Sequence, residues 1–160
     1  MNEVEVRRAQ ADDAPGIAKV HVQSWQEAYA HLAPAEALAA LNVERRAQRW
    51  ADIISEGATE VWVALDCGQI VGWMSVGHGR DDGPRPTELV GLYVLASHHG
   101  TGAGQGLLEA GVGTDPAYLW MAADNPRARA FYARNGFAPD GESDTHEIVG
   151  TPVEIIRLVR

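Results

Sequence analysis

A chain of 160 residues, 46% hydrophobic and 22% charged, reads as one domain (1–160) with enough length to bury a core. Thirteen basic against 22 acidic residues leave a formal charge of -9, which argues against general nucleic-acid or anionic-membrane binding. No apolar run reaches the length of a bilayer span and the start, MNEVEVRRAQADD, carries no signal-peptide core, so a cytoplasmic protein is the expectation. Cys67 is the only cysteine, which excludes an intrachain disulfide and a cysteine-based zinc site. Lys19 is the only lysine. It lies far from any Gly-rich loop, which excludes a Walker-type phosphate loop, and a Schiff-base role lacks any pocket signal beside it.

In chain order, Val4 and Val6 alternate with charges as a short strand. Asp12 and Asp13 before Ala14-Pro15 mark a helix start, after which Ile17, His21, Ser24, Ala28 and Leu32 recur at helical spacing with Trp25 and Tyr29 beside them. Pro34 opens a second helical region that breaks near Asn42, and a further helix carrying Ala47, Trp50, Ile53 and Ile54 stops at Gly57. The period then changes. Glu60–Leu65 and Gln69–Val76 form a predicted hairpin about Asp66-Cys67-Gly68, and Gly77–Pro86 is a predicted loop. Glu88–Leu95 (ELVGLYVL) is nearly continuous in apolar residues, as in a strand covered on both faces. A Gly-rich turn, a short helix through Leu107 and Leu108, and the strand Tyr118–Ala122 follow. Asn125-Pro126 starts a helix ending at Asn135-Gly136, Phe137 begins a return to strand, and Val153–Val159 is the last strand. Strand–helix–strand units in the second half imply parallel pairing there, and the hairpin implies antiparallel pairing before it. The expected fold is α/β (α+β): a mixed, largely antiparallel sheet of six or seven strands with helices on both faces.

Two segments carry chemistry. His98-His99-Gly100-Thr101-Gly102-Ala103-Gly104-Gln105-Gly106 lies between a buried strand and a helix, where glycines let successive N–H groups converge on an anion. The dinucleotide fingerprint G-x-G-x-x-G fails in every frame, because its sixth position falls on Gln105, Leu107 or Glu109. The second segment is Asn125–Phe137, NPRARAFYARNGF, in which capping and packing account for Asn125, Pro126, Ala128, Phe131 and Gly136 but leave Tyr132 unexplained.

Together, ELVGLYV, HHGTGAG and NPRARAFYARNGF resemble the GNAT superfamily of acetyl-CoA-dependent N-acetyltransferases in order and spacing. The likeness extends more weakly to VHVQSWQEAYAHLAP and GTPVEIIRLVR, with its specificity concentrated in residues 88–137. It implies a splayed parallel strand pair and acetyl-CoA as acyl donor, with no metal. That superfamily's pyrophosphate pattern, Gln/Arg-x-x-Gly-x-Gly/Ala, falls on His99, Gly102 and Gly104, with His99 replacing the usual Gln or Arg. The resemblance assigns the amides of Gly100, Thr101, Gly102, Ala103, Gly104 and Gln105 to the diphosphate. It assigns the main chain of Leu92, Tyr93 and Val94, with Asn125, to the pantetheine arm. Tyr132 would protonate the departing thiolate, and a strand N–H near Leu92 would meet the acyl oxygen. Glu88, eleven residues before His99, stands at the offset of a carboxylate that deprotonates the amine directly or through water. His78 and His146 are fallback bases. Trp25 and Tyr29, with Trp50, would wall the acceptor side or belong to the core.

The implied reaction is direct acetyl transfer to a primary amine of a small molecule or peptide, with a homodimer expected on resemblance alone. The acidic surface favours cationic amines. The rival reading is a non-catalytic acyl-CoA-binding regulatory module on the same fold, and a purely structural interaction domain is the third. Cys67, in a turn far from these segments, argues against an acyl-cysteine route.

Overall fold

The computed structural model describes residues 3–80 and 83–160. Seven strands, β1 (Glu5–Arg8), β2 (Thr59–Asp66), β3 (Gln69–His78), β4 (Thr87–Val94), β5 (Tyr118–Ala122), β6 (Ala138–Ile148) and β7 (Thr151–Val159), form one sheet. Their spatial order is β1-β2-β3-β4-β5-β7-β6, and every neighbouring pair is antiparallel except β4 and β5. The helices are α1 (Ala14–Tyr29), α2 (Ala35–Ala39), α3 (Val43–Glu56), α4 (Ala103–Gly111) and α5 (Pro126–Arg134). The expected mixed sheet with helices on both faces is what forms.

Alternation along β2 sorts the two faces. Val61, Val63 and Leu65 point to α1 and α3, where they meet Ile17, Ala18 and Trp50, while Trp62 and Ala64 point to the α4 side. Asn42 caps α3 by accepting from the Arg45 N–H at 2.8 Å, and Gly57, at φ 70°, ends it. Glycines inside α4 cost about 0.5–1 kcal/mol each relative to alanine. Leu107 and Leu108, both almost wholly buried, offset that at roughly 1.5–3 kcal/mol per side chain. The short helix therefore forms as expected, at nine residues.

Three features differ from the local reading. β3 runs on to His78, so the loop begins at Gly79. The β5–α5–β6 unit does set β6 parallel in direction to β5, but β7 lies between them and pairs antiparallel with both. The β6–β7 turn places Val149 at φ 52° and Gly150 at φ 76°, matching Cys67 (51°) and Gly68 (78°) in the β2–β3 turn. Among the described residues no helix is long and apolar enough to cross a membrane.

Candidate active site

The parallel pair is short. β4 and β5 are in register only at Glu88↔Tyr118 and Leu89↔Leu119. Beyond that point β4 stays with β3 as far as Val94, and β5 stays with β7 as far as Ala122, so a gap opens between them. The Leu95 N–H donates to the Val71 carbonyl at 2.9 Å. Antiparallel alternation from that bond commits Tyr93 to Trp73 and turns the N–H and C=O groups of Leu92 and Val94 toward the gap. The Val94 carbonyl is met by His99, whose Nε2 lies 3.1 Å away. A carbonyl only accepts, so this nitrogen carries the hydrogen.

Below the gap the chain makes a 3₁₀ turn, Ala96–His98, before α4. Gly100 and Gly102 adopt φ 79° and 90°, a region open to glycine at no steric cost. The loop is pinned from both sides: the Ala96 N–H donates to Glu27 at 3.1 Å, and His98 Nε2 meets Asp66 at 2.9 Å. That contact holds the Asp66 carboxyl below its ordinary range. Thr101 Oγ1 donates to the His98 carbonyl at 2.7 Å. The first backbone bond into α4 runs from the Gly106 N–H to the Gly102 carbonyl. Among the described residues the amides of Gly100, Gly102, Gly104 and Gln105 have no protein acceptor, and Ala103 has only a long 3.4 Å contact to Thr101 Oγ1. The Gln105 side chain is spent elsewhere, in a reciprocal amide pair with Asn135 at 2.9 and 3.0 Å. A row of free donors at the positive end of a helix is a fitting cradle for a diphosphate.

Asn125 caps α5 by accepting from the Ala128 N–H at 3.1 Å, which orients the helix that carries Tyr132. Tyr132 is 7% exposed and packs against Phe131 and Phe137. Burial, and then Tyr29, push its pKa upward, so the phenol keeps its proton. Tyr29 from α1 and Tyr93 from β4 lie on the opposite face with their hydroxyls 2.9 Å apart. Tyr132 packs in the core on the α4 side of the sheet, and Tyr29 with Tyr93 in the cluster on the other.

Around Tyr29 and Tyr93 stands an aromatic wall of which Trp25 and Tyr29 are the members expected from the sequence. Trp50 and Trp73, 4.5 Å apart, lie in its buried floor. His21 sits 5.0 Å from both Trp25 and Trp73. The Trp50 indole N–H donates to His21 Nδ1 at 3.1 Å. Burial, then the charge of Arg46, lower the His21 pKa to about 3. His21 is therefore neutral at pH 7 with its accepting nitrogen occupied, a packing group rather than a base. Helical spacing had marked it only as an inward position, and Trp73 was hidden in an apolar strand.

Glu88 reaches this face through a bulge. Ser75 pairs with Gly91 and Val76 with Leu89, so Val90 is skipped. Were Val90 paired in a regular ladder, Glu88 and Tyr93 would point to opposite faces. With Val90 bulged out of the ladder, Leu89, Leu92 and Val94 face α4, while Gly91 against Trp73, Tyr93 and, by alternation from Leu89, Glu88 share the other side. Glu88 is 1% exposed. Its Oε1 accepts from the Arg80 main-chain N–H and Nε, both at 3.0 Å, and from Tyr118 Oη at 3.3 Å; its Oε2 accepts from Arg80 Nη2 at 2.7 Å. Arg80 and Tyr118 were not singled out from the sequence: one lies in a charged loop, the other at the head of an apolar strand. His78 is exposed at the end of β3, beside Gly111 and Asp115 on the α4 side, and His146 is exposed on β6 at the sheet edge. Neither joins Glu88 and Tyr93.

Comparison with known proteins adds an independent line. Residues 57–139, just over half of the chain, match the Acetyltransferase (GNAT) domain. The chain is 30% identical to the uncharacterized N-acetyltransferase YuaI of Bacillus subtilis over 97% of this chain and 91% of that protein. In fold it is similar to PaiA N-acetyltransferase from Thermoplasma acidophilum in complex with coenzyme A (TM-score 0.73, 18% identity, 97% and 98% of the two chains). It is likewise similar to yncA, a putative acetyltransferase from Salmonella typhimurium with its cofactor acetyl-CoA (TM-score 0.72, 17% identity, 99% and 93%).

Proposed function

Because the chain belongs to the GNAT family of N-acetyltransferases, we propose that it transfers an acetyl group from acetyl-CoA directly to a primary amine of a small molecule or peptide. The observation that carries this reading is the run of unpaired amides at the start of α4 below an open β4 edge. Gly100, Gly102, Ala103, Gly104 and Gln105, with Thr101 fixing the turn, would hold the diphosphate. Leu92 and Val94, with Asn125 alongside, would hold the pantetheine arm as an added strand beside Tyr93. Two solved structures of this fold are described with coenzyme A or acetyl-CoA, which supports the same co-substrate here. When bound, acetyl-CoA supplies the activated acyl group.

The chain's own groups divide the remaining work. The Leu92 N–H, turned into the gap, donates to the negative charge that develops on the acyl oxygen. Tyr132, kept protonated by burial, gives its proton to the departing thiolate. Glu88, on the acceptor face, takes a proton from the incoming amine directly or through water. Trp25 and Tyr29 line the approach. Thiol release from acetyl-CoA across a panel of amines tests the assignment. Tyr132→Phe should lower kcat by about 10²–10⁴-fold while CoA affinity is kept, and Glu88→Gln should do the same at neutral pH. Tight CoA binding without turnover on any amine would favour the regulatory module, and absence of CoA binding would defeat both.

A further inference from the structure

Glu88 and Arg80 form an asymmetric pair: the carboxylate is 1% exposed, whereas the guanidinium side chain is 63% exposed. A carboxylate buried beside Leu89 and Tyr118 is strongly unfavourable without a cation, so some cation must stand on it. Arg80 does so now, yet its side chain reaches in from solvent. The main chain beneath it is fixed. The Arg80 N–H bonds Glu88, the Gly79 N–H donates to the Pro86 carbonyl at 2.8 Å, and Gly79 and Gly83 lie flat on Tyr118. A Cβ at Gly79 would come within 2.7 Å of Tyr118 Oη, and one at Gly83 within 2.9 Å of its ring. The side chain of Arg80 can therefore leave while its backbone stays. As long as it stays, the guanidinium covers a carboxylate that is 1% exposed and occupies both of its oxygens, so an incoming amine has no room to reach Glu88.

We propose that the Arg80 guanidinium is a placeholder for the acceptor's own charge. The acceptor is an amine that arrives as an alkylammonium ion, displaces the Arg80 side chain from Glu88, and is deprotonated there. The inference rests on the acetyl-transfer reading above. Glu88 takes one proton from the ammonium ion; the C–N bond forms as the C–S bond breaks; the nitrogen's second proton leaves with the thiolate by way of Tyr132. The product amide carries no charge to compete for Glu88, so Arg80 returns and the carboxyl proton passes to water. Neutral aryl amines, which bring no cation, would have nothing with which to displace Arg80.

The test is binding of n-butylammonium chloride to the wild type, Arg80→Ala and Arg80→Ala/Glu88→Gln, each saturated with CoA. Thermal stabilisation is read against sodium chloride at equal ionic strength. Removing the internal competitor should tighten n-butylammonium binding by about tenfold or more, and the double variant should lose it. Equal affinity in the wild type and Arg80→Ala, or binding that persists in the double variant, overturns the proposal. Arg80→Lys keeps a cation without the two-nitrogen fork and should bind n-butylammonium between the wild type and Arg80→Ala; if Arg80→Ala fails to fold, Arg80→Gln takes its place. A separate calorimetric titration with CoA reports on the acetyl-transfer reading alone. The n-butylammonium result can be read on the CoA-free protein if that titration shows no binding.

Discussion

Gly102 and Gly104 look interchangeable in the sequence, and the structure makes alanine at each do opposite things. Gly102 stands at the N-cap of α4 with φ 90°, and a Cβ there would meet nothing within 4 Å. The cost of Gly102→Ala is therefore conformational, about 1–2 kcal/mol for an L-residue held at positive φ. For a chain of this size each kcal/mol moves Tm by roughly 2–4 °C, so a fall of about 2–8 °C follows. If the loop escapes that strain by rotating residue 102 to negative φ, the amides around it no longer converge. Each hydrogen bond lost to a charged phosphate oxygen is worth about 1.5–3 kcal/mol, or roughly ten- to hundredfold in Kd. Gly104 is helical, and its Cβ would sit 3.7 Å from the Phe131 ring and 3.8 Å from Val94, in ordinary contact. Gly104→Ala should raise stability by about 0.5–1 kcal/mol and leave CoA affinity within a few-fold. Thermal melts with and without CoA, together with calorimetric titration, check both. A Gly102→Ala protein that keeps both the wild-type Tm and the wild-type CoA affinity, or a folded Gly104→Ala protein that has lost binding, would refute the amide cradle.

Four further outcomes are expected. His21 has a folded pKa of about 3, far below its unfolded value near 6.5, so the unfolded chain binds the extra proton between those limits. Stability is whole above pH 6.5 and falls by about 1.4 kcal/mol per pH unit below it; His21→Gln should flatten that slope between pH 6.5 and 4 in denaturant titrations. Asp13, Asp66 and Asp140, whose carboxyls are held below their ordinary range, lose their contributions only as pH falls below about 4. His99→Arg should tighten CoA binding by about tenfold, because arginine brings a fixed charge to the loop and vacates the Val94 carbonyl; unchanged or weaker affinity by calorimetry would mean residue 99 is not at the phosphates. Cys67→Asn should raise Tm by about 2–4 °C in a differential scan, since asparagine tolerates the φ of 51° that Cys67 adopts before Gly68.

Much of the frame is visible in local pattern: the Cys67-Gly68 turn, the Asn125 cap, the Gly57 stop and the glycine loop before α4 all follow from residue chemistry at a single position. What escapes local pattern is of another kind. The apolar run ELVGLYV reads alike with or without a bulge, so the shared face of Glu88 and Tyr93 could not be seen. Strand order is likewise invisible, because nothing in VEIIRLV says that it lies between β5 and β6. Arg80 sits among Asp81, Asp82 and glycines, a composition that reads as a solvated loop; its use depends on a carboxylate eight residues away in the next strand. His21 and Trp73 took ordinary core positions in the pattern, and only packing reveals that they back the wall formed by Trp25 and Tyr29.

The exclusion of Val90 from the ladder sets the frame between Glu88 and Tyr93. Point substitutions in this strand change one side chain at a time, whereas drawing Val90 into the ladder with β3 would turn Glu88 over to the α4 side. A working site and an inert one of the same architecture are thus separated by a one-residue slip in strand pairing, with no change of composition.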